Sequence, residues 1–462
     1  MTETCDYTFD PTEWNKNHRS STSLDSVWDC PHEKHVDTDY CIFHLTSEAL
    51  GNLGITDEDL RNAFMAKVNG DDPEEKRFVG GTFGEFEIDE QDIGTPDTDT
   101  IDLRHTRFDG PFDISGSEVE ADLLMGCSEF RDVEASSLRF DGDFVFRECD
   151  VDGYGNFDKT EFEGDVDFRR ASFDLGAEFS EATVRGDADF RYASFKHVEA
   201  IFEEAEFEGE AMFNSLNVGE ANFTSAVFGG KTDFSNGSFS DETKFQYADF
   251  LGPSKFNDAK FKSNANFRGA DFEDETDFSG TRYKEWVSFR NVTYEDEACY
   301  DGAWFNSKVT FVPESENKSE ITFDGAKVGS GDFEVSIYKP VFYNFGGAKV
   351  GNITLKTNGD EEGLLNYVLF RRTEFNGFDF SDYEEALASD GWEIHNTQIH
   401  PEDPDPRILE KTYELAAEGA KGSGDRRALK KFESKAKKYR RQRYKEEGNT
   451  AAVLKSYITD LI

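Results

Sequence analysis

The chain is poor in cations: 50 Lys and Arg stand against 97 Asp and Glu, a net charge of -47 over 462 residues. Such a surface repels phosphate backbones, which argues against direct nucleic-acid binding by the bulk of the molecule. It would also strain a compact protein in dilute buffer through self-repulsion. At molar salt the screening length falls to roughly 3 Å, and carboxylates then serve to hold water. The acidity therefore reads as halophilic adaptation, with an acidic decoy for nucleic-acid-binding proteins as the competing reading. Long apolar runs are missing too: no stretch approaches the roughly 20 residues of a membrane span. The start MTETCDYTFD lacks the charged-then-apolar pattern of a secretory signal, so the expected location is cytoplasmic.

Cysteine is scarce. Six in the whole chain cannot make a disulfide scaffold, but three fall within the first 41 residues, among several histidines. Catalytic signatures are absent: no G-x-S-x-G, no G-x-x-x-x-G-K, no H-E-x-x-H and no dinucleotide-binding glycine pattern. His105, His197, His395 and His400 each stand without a nucleophile or metal partner in the sequence and read as structural. The expectation is a protein that is not an enzyme.

What the chain has in abundance is phenylalanine, 45 in all, and it is periodic. From Phe162 the series Phe168, Phe173, Phe179, Val184, Phe190, Phe195 alternates steps of six and five residues. The alternation resumes at Phe228 and runs through Phe234, Phe239, Phe245, Phe250, Phe256 and onward to Phe311. It is weaker but legible backwards through Phe157, Val151, Phe146, Phe140, Phe130, Met125, Val119, Ile114, Phe108 and Leu103. An eleven-residue period could mean a helical supercoil. The small residue two before many aromatics, as in Ala188/Phe190, Ala193/Phe195, Ala248/Phe250 and Ala270/Phe272, is strand geometry instead.

Gly, Asp, Asn and Ser separate these pairs, as turn-formers do. Two eleven-residue units closing one four-sided coil give about 22 residues per coil, each rising roughly 4.8 Å. From Leu103 to Phe311 that makes about nine or ten coils over about 45 Å, with Phe stacked inside. Asp189, Asn222, Asp249 and Asp271 are expected to face solvent.

The F-x-G-A-x-F and A-D-F units strongly resemble the pentapeptide-repeat proteins, in the Phe-rich variety found in halophilic microbes. The resemblance covers Phe78 to Phe380 and implies a mainly β protein, a right-handed quadrilateral β-helix. The step is lost around Pro313–Lys318 and Tyr338–Phe345, where loops or deformed coils are expected, and FGGAKVGNITL and FRRTEFNGFDF read as irregular returning coils. The expected organisation is a Cys/His module at 1–50, a capping helix and linker at 51–75, the β-helix at 76–385 (most regular at 140–311), a linker at 386–406 and a basic helical hairpin with a tail at 407–462.

In the first module Cys5, Cys30, Cys41 and His44 offer three thiolates and an imidazole, the donor set of a closed, structural tetrahedral zinc site. His32 and His35 are alternatives to His44, and Trp14, Trp28 and Phe43 would form the small core. Cys127, Cys149 and Cys299 read as packing residues. Thr56 followed by DEDLRNAFMAKV reads as an N-capped helix with Leu60, Phe64 and Val68 on one face, covering the open end of the solenoid.

After the breaker PEDPDP, Leu409, Tyr413 and Ala416 share one helix face, GSGD turns, and Ala428, Phe432 and Ala436 recur on a second helix. From Arg407 to Gly448 fourteen Lys and Arg face seven Asp and Glu, a reversal to +7. A solvated face or docking on the chain's own acidic surface would explain it; contact with a membrane surface or nucleic acid are the functional readings.

The functional expectation is a non-catalytic scaffold with an unidentified protein partner and oligomerisation through a solenoid end. The resemblance adds two alternatives: a DNA mimic that occupies a topoisomerase or other DNA-handling enzyme, and a soluble relative of membrane-associated, channel-like members.

Overall fold

The computed structural model describes residues 3–17, 24–88, 91–95, 100–314, 319–335, 341–357, 363–395, 397, 399–400 and 404–459; the side chains of 197, 314, 458 and 459 are outside that set. Its contacts divide into two compact units, Met1–Lys244 and Phe245–Ile462.

In the first unit the repeat forms two-residue strands such as Arg139–Phe140, Phe144–Val145, Asp150–Val151 and Gly155–Asn156, one on each of four faces. Each pairs in parallel with the strand one coil on: Phe140 with Phe162, Phe144 with Val166, Val151 with Phe173 and Gly155 with Ala177. Every one of these partners lies 22 residues along the chain, so two eleven-residue units do make one coil.

The interior is an aromatic stack. Phe168 lies 4.8 Å from Phe190 at 5°, and Phe190 lies 4.9 Å from Phe213 at 8°, each ring parallel to the one a coil above. Across the coil, Phe179 meets Phe190 edge-on at 5.4 Å and 89°. Both arrangements match the aromatic quadrupole, and no polar atom has to be buried with the rings.

The corners explain the remaining residue choices. Phe168, Arg169, Arg170 and Ala171 form a turn closed by the Ala171 N–H donating to the Phe168 carbonyl at 3.0 Å. The Asp167 carboxylate accepts from the Arg169 N–H at 3.1 Å. Asp189 and Asn222 do the same for Arg191 and Thr224. The expectation that Asp189 and Asn222 simply face solvent is therefore corrected: they cap turns, and Asn222 is buried.

The third residue of these turns has positive φ and is seldom glycine: Glu148, Arg170 and Tyr192 succeed one another on one corner, and Ser137, Lys159, Glu181, Glu204 and Ser225 on another. Glycine is required at a third corner, where a Cβ on Gly186 would fall 2.5 Å from the Gly164 carbonyl.

The second unit continues the scheme, with Phe256 stacked 4.6 Å from Phe278 and Phe278 4.7 Å from Tyr300. Its later strands are long, Trp304–Glu314, Lys327–Val335 and Lys349–Thr357, and keep a 22-residue register from Val328 to Val350 and from Phe333 to Leu355. The expected break around Tyr338–Phe345 is corrected for 341–345: Tyr343 pairs with Ile321 and Phe345 stacks 4.9 Å from Phe323. Residues 315–318, 336–340 and 401–403 lie outside the described set. Asp249 and Asp271 are half-buried; burial first, then neighbouring carboxylates, raises both carboxyls above their usual range.

Helices Pro406–Ser423 and Arg426–Glu446 form the expected hairpin, turned by Gly424 at φ 84 and N-capped by Asp425. Leu409, Tyr413, Ala416, Ala428, Phe432 and Ala436 are all buried. The hairpin lies on the last coil: Gly419 passes Phe375 so closely that a Cβ would come within 2.5 Å, and Phe432 meets Phe380 at 4.9 Å. Four helices were not read from the sequence: Glu384–Ser389 and Thr450–Thr459 in this unit, and Pro11–Asn17 and Ser47–Leu53 in the first. Trp392, in the expected linker, packs 5.7 Å from Phe432. Among the described residues no helix is long and apolar enough to cross a membrane.

Phe256→Ala should cost about 3–5 kcal/mol in chemical denaturation, because it removes a buried ring that stacks on Phe278 and meets Phe245 and Phe267 edge-on. Asp249→Asn should be neutral or slightly stabilising at neutral pH. A carboxyl whose folded pKa is raised stabilises the fold only below the ordinary Asp range, and that contribution is lost as pH rises through the folded pKa. Glu204→Gly should raise stability by about 1 kcal/mol by relieving a left-handed backbone at a non-glycine residue.

Candidate metal centre

The first 50 residues have little apolar surface of their own, and a short antiparallel pair organises them. Thr8 and Phe9 face Asp29 and Trp28, while Thr4 bridges to Glu33. The Cys5 N–H donates to the His32 carbonyl at 2.8 Å and the Cys30 N–H to the Tyr7 carbonyl at 3.0 Å, which sets two thiols side by side. Cys41 leads into the one-turn 3-10 helix Ile42–His44, so the C-x-x-H spacing turns His44 back towards its own cysteine. The Cys41 N–H donates to the Cys5 sulfur at 3.1 Å.

The four predicted ligand atoms all lie within 4.8 Å of one another, and the three cysteines are buried. Cys30 Sγ is 3.8 Å from Cys41 Sγ, and His44 Nδ1 is 3.2 Å from Cys41 Sγ and 3.7 Å from Cys5 Sγ. A tetrahedron with metal–sulfur bonds of about 2.3 Å has sulfur–sulfur edges of about 3.8 Å, so the donors already stand near coordination distance.

The far side of the imidazole is fixed as well: His44 Nε2 lies 3.0 Å from the Val79 carbonyl. Nε2 must carry the proton to donate there, so Nδ1 is the ring atom that a metal among the sulfurs would bind. Tyr7 stacks on the ring at 3.9 Å and 8°, and its hydroxyl fills the space beside Gly80, where a Cβ would fall 1.9 Å away.

The two alternative histidines take other places. His32 donates from Nε2 to the Glu75 carbonyl at 2.9 Å, with Nδ1 4.0 Å from Cys41 Sγ, so it lies behind the sulfur. His35 Nδ1 contacts the Val36 carbonyl, outside the cluster. Of the expected small core, Trp28 and Phe43 are buried beside the site, whereas Trp14 packs at 4.5 Å against His105 of a solenoid corner. Cys127 and Cys149 are buried as packing residues and Cys299 is half-buried.

Three sulfurs in one buried pocket cannot all ionise unaided. A hydrogen bond from Cys30, then those from His32 and His44, pull the Cys41 thiol down to about 2. The same contact, with burial, pushes Cys30 far up. Burial works against a charged His44, yet hydrogen bonds to Cys41 and Cys5 carry it up to about 9. A single cation at the centre would relieve all three conflicts, and the donor set fits one.

The centre is continuous with the solenoid. Phe43 meets Phe78 edge-on at 4.9 Å, and Phe64, on the Thr56-capped helix Asp57–Val68, meets Phe86 at 5.1 Å. The module thus closes the first coil. Tyr7 and the Val79 carbonyl are the functional groups that sequence reading missed, since neither sits in a ligand pattern.

The model of the pentapeptide-repeat family, in nine copies, matches residues 168–215 and 245–293. Neither a curated protein nor a solved structure matches the chain. Fold and repeat together define a β-solenoid of the scaffold type. Residues 168–215 and 245–293 of this chain carry pentapeptide repeats.

Gly80→Ala should cost about 2 kcal/mol or more, through left-handed backbone strain and collision with Tyr7, and should loosen the module first. The check is emission from Trp28, monitored beside cooperative unfolding of the whole chain.

Proposed function

We propose that the protein is a rigid, acidic, non-catalytic scaffold that presents its lateral faces to a protein partner, with an N-terminal cap closed by one structural zinc ion. The observation that carries the reading is the Cys5/Cys30/Cys41/His44 cluster seated on the first coil. Three thiolates select a soft metal over magnesium or calcium, and four protein donors fill a tetrahedron with no position left for substrate. The ion supplies folding free energy to a segment too small to fold on apolar burial alone. Through the His44 contact to Val79 it also clamps that segment on the solenoid.

The acidity belongs to the same reading as a hydration layer for concentrated salt. A chain that unfolds below about one molar salt would support that account, and one indifferent to salt would remove it. Purified protein should carry about one zinc per chain, released when Cys30 and Cys41 are replaced by Ser. Well-folded wild type without metal would overturn the zinc assignment. Stoichiometric inhibition of a topoisomerase would replace the scaffold reading with mimicry.

A further inference from the structure

The second unit carries a surface that the scaffold reading does not use. Helix Arg426–Glu446 buries Ala428, Phe432, Ala436 and Tyr439 against its partner helix and the last coil. At 3.6 residues per turn the opposite side is an arc of about 140° occupied by Arg426, Lys430, Lys431, Lys437, Lys438 and Lys445, all exposed. Ser434 falls in the middle of the arc, Arg427 within it pairs with Glu384, and on the helix itself Glu433 lies at the arc's edge.

Cations elsewhere in the hairpin serve the fold: Arg440 and Arg443 hold Glu410, and Lys435 reaches Glu393. The outer arc is thus a concentration of positive charge on an otherwise intensely acidic chain.

A second, independent feature adjoins it. Arg441 donates to the Ser456 carbonyl at 3.2 Å and lies 4.4 Å over the Tyr457 ring, which seats helix Thr450–Thr459 against the basic helix. That short helix leaves Leu454 65% and Tyr457 47% exposed, with exposed Ala451 beside Leu454 on the wheel and Lys455 at the margin. A basic arc beside exposed Leu and Tyr is the composition of a peripheral membrane-binding surface: cations reach lipid phosphates while apolar side chains enter the headgroup boundary. A polyanion without an apolar phase, such as a nucleic acid, would use the cations and leave Leu454 idle. Repulsion by the chain's remaining carboxylates fades within about 8 Å at physiological salt, so the local patch decides the contact.

We propose that this face docks on the surface of an anionic lipid bilayer, with the basic helix on the headgroups and Leu454 and Tyr457 dipping into the interface. The test is flotation of the full chain with vesicles of phosphatidylcholine plus phosphatidylglycerol, against phosphatidylcholine alone, over a salt series spanning the concentrations at which far-UV circular dichroism shows the chain folded. Binding should require the anionic lipid and strengthen as salt falls. Combining Arg426→Gln, Lys430→Gln and Lys445→Gln should weaken it by about 100-fold. Leu454→Glu should weaken it several-fold at every salt concentration, and far-UV circular dichroism should be unchanged in both variants. Equal binding to neutral vesicles, no binding to either, insensitivity to Leu454→Glu, or duplex DNA displacing the vesicles would each overturn the proposal.

Discussion

Every other feature of the solenoid depends on one contact, the parallel placement of an aromatic ring upon the ring of the next coil. Phe202 on Phe223 at 4.8 Å and Phe250 on Phe272 at 4.7 Å are separated by about the spacing of paired strands, so backbone hydrogen bonding and ring packing are satisfied by the same rise. Neither would suffice alone. Strands of two residues are far too short to persist by pairing, and rings on a floppy chain would find other partners. Coupled, they leave no choice of register, since a slip by one residue would point the rings outward.

The carboxylates do several jobs. Asp167, Asp233 and Asp277, each just before an inward aromatic, accept backbone N–H groups two residues later and are part of the turn. Asp143 and Asp165 accept the N–H groups of Asp165 and Asp187 one coil on. Many others line the outside, where pairs such as Arg139 with Glu118 and Glu163 neutralise only part of the charge. A count of acidic residues therefore overstates how much charge is free to serve solvation.

Much of this was legible because periodicity survives in one dimension. The 22-residue coil, the inward rings, the Thr56 cap and the two-helix hairpin all follow from spacing and turn chemistry. The four candidate ligands were legible by donor type, and residue type alone left His32 and His35 as rivals. Only the third dimension separates them, because the Glu75 carbonyl takes the His32 proton and the Val79 carbonyl takes that of His44. The strands through Tyr343 and Phe345 were missed because the five-and-six step gives way to long continuous strands that keep the coil length without keeping the step. The helix Thr450–Thr459 escaped because it is short and weakly amphipathic, and its bond to Arg441 is not a local pattern.

The left-handed corners have an evolutionary consequence. Glu148, Arg170 and Tyr192 occupy equivalent places one coil apart and share no chemistry beyond tolerating the same backbone. A position that accepts an acid, a base or an aromatic without touching the ring stack is open to drift and selection coil by coil. A lineage could recast the whole outer relief of such a column through single substitutions, while the inner ladder remains as it was.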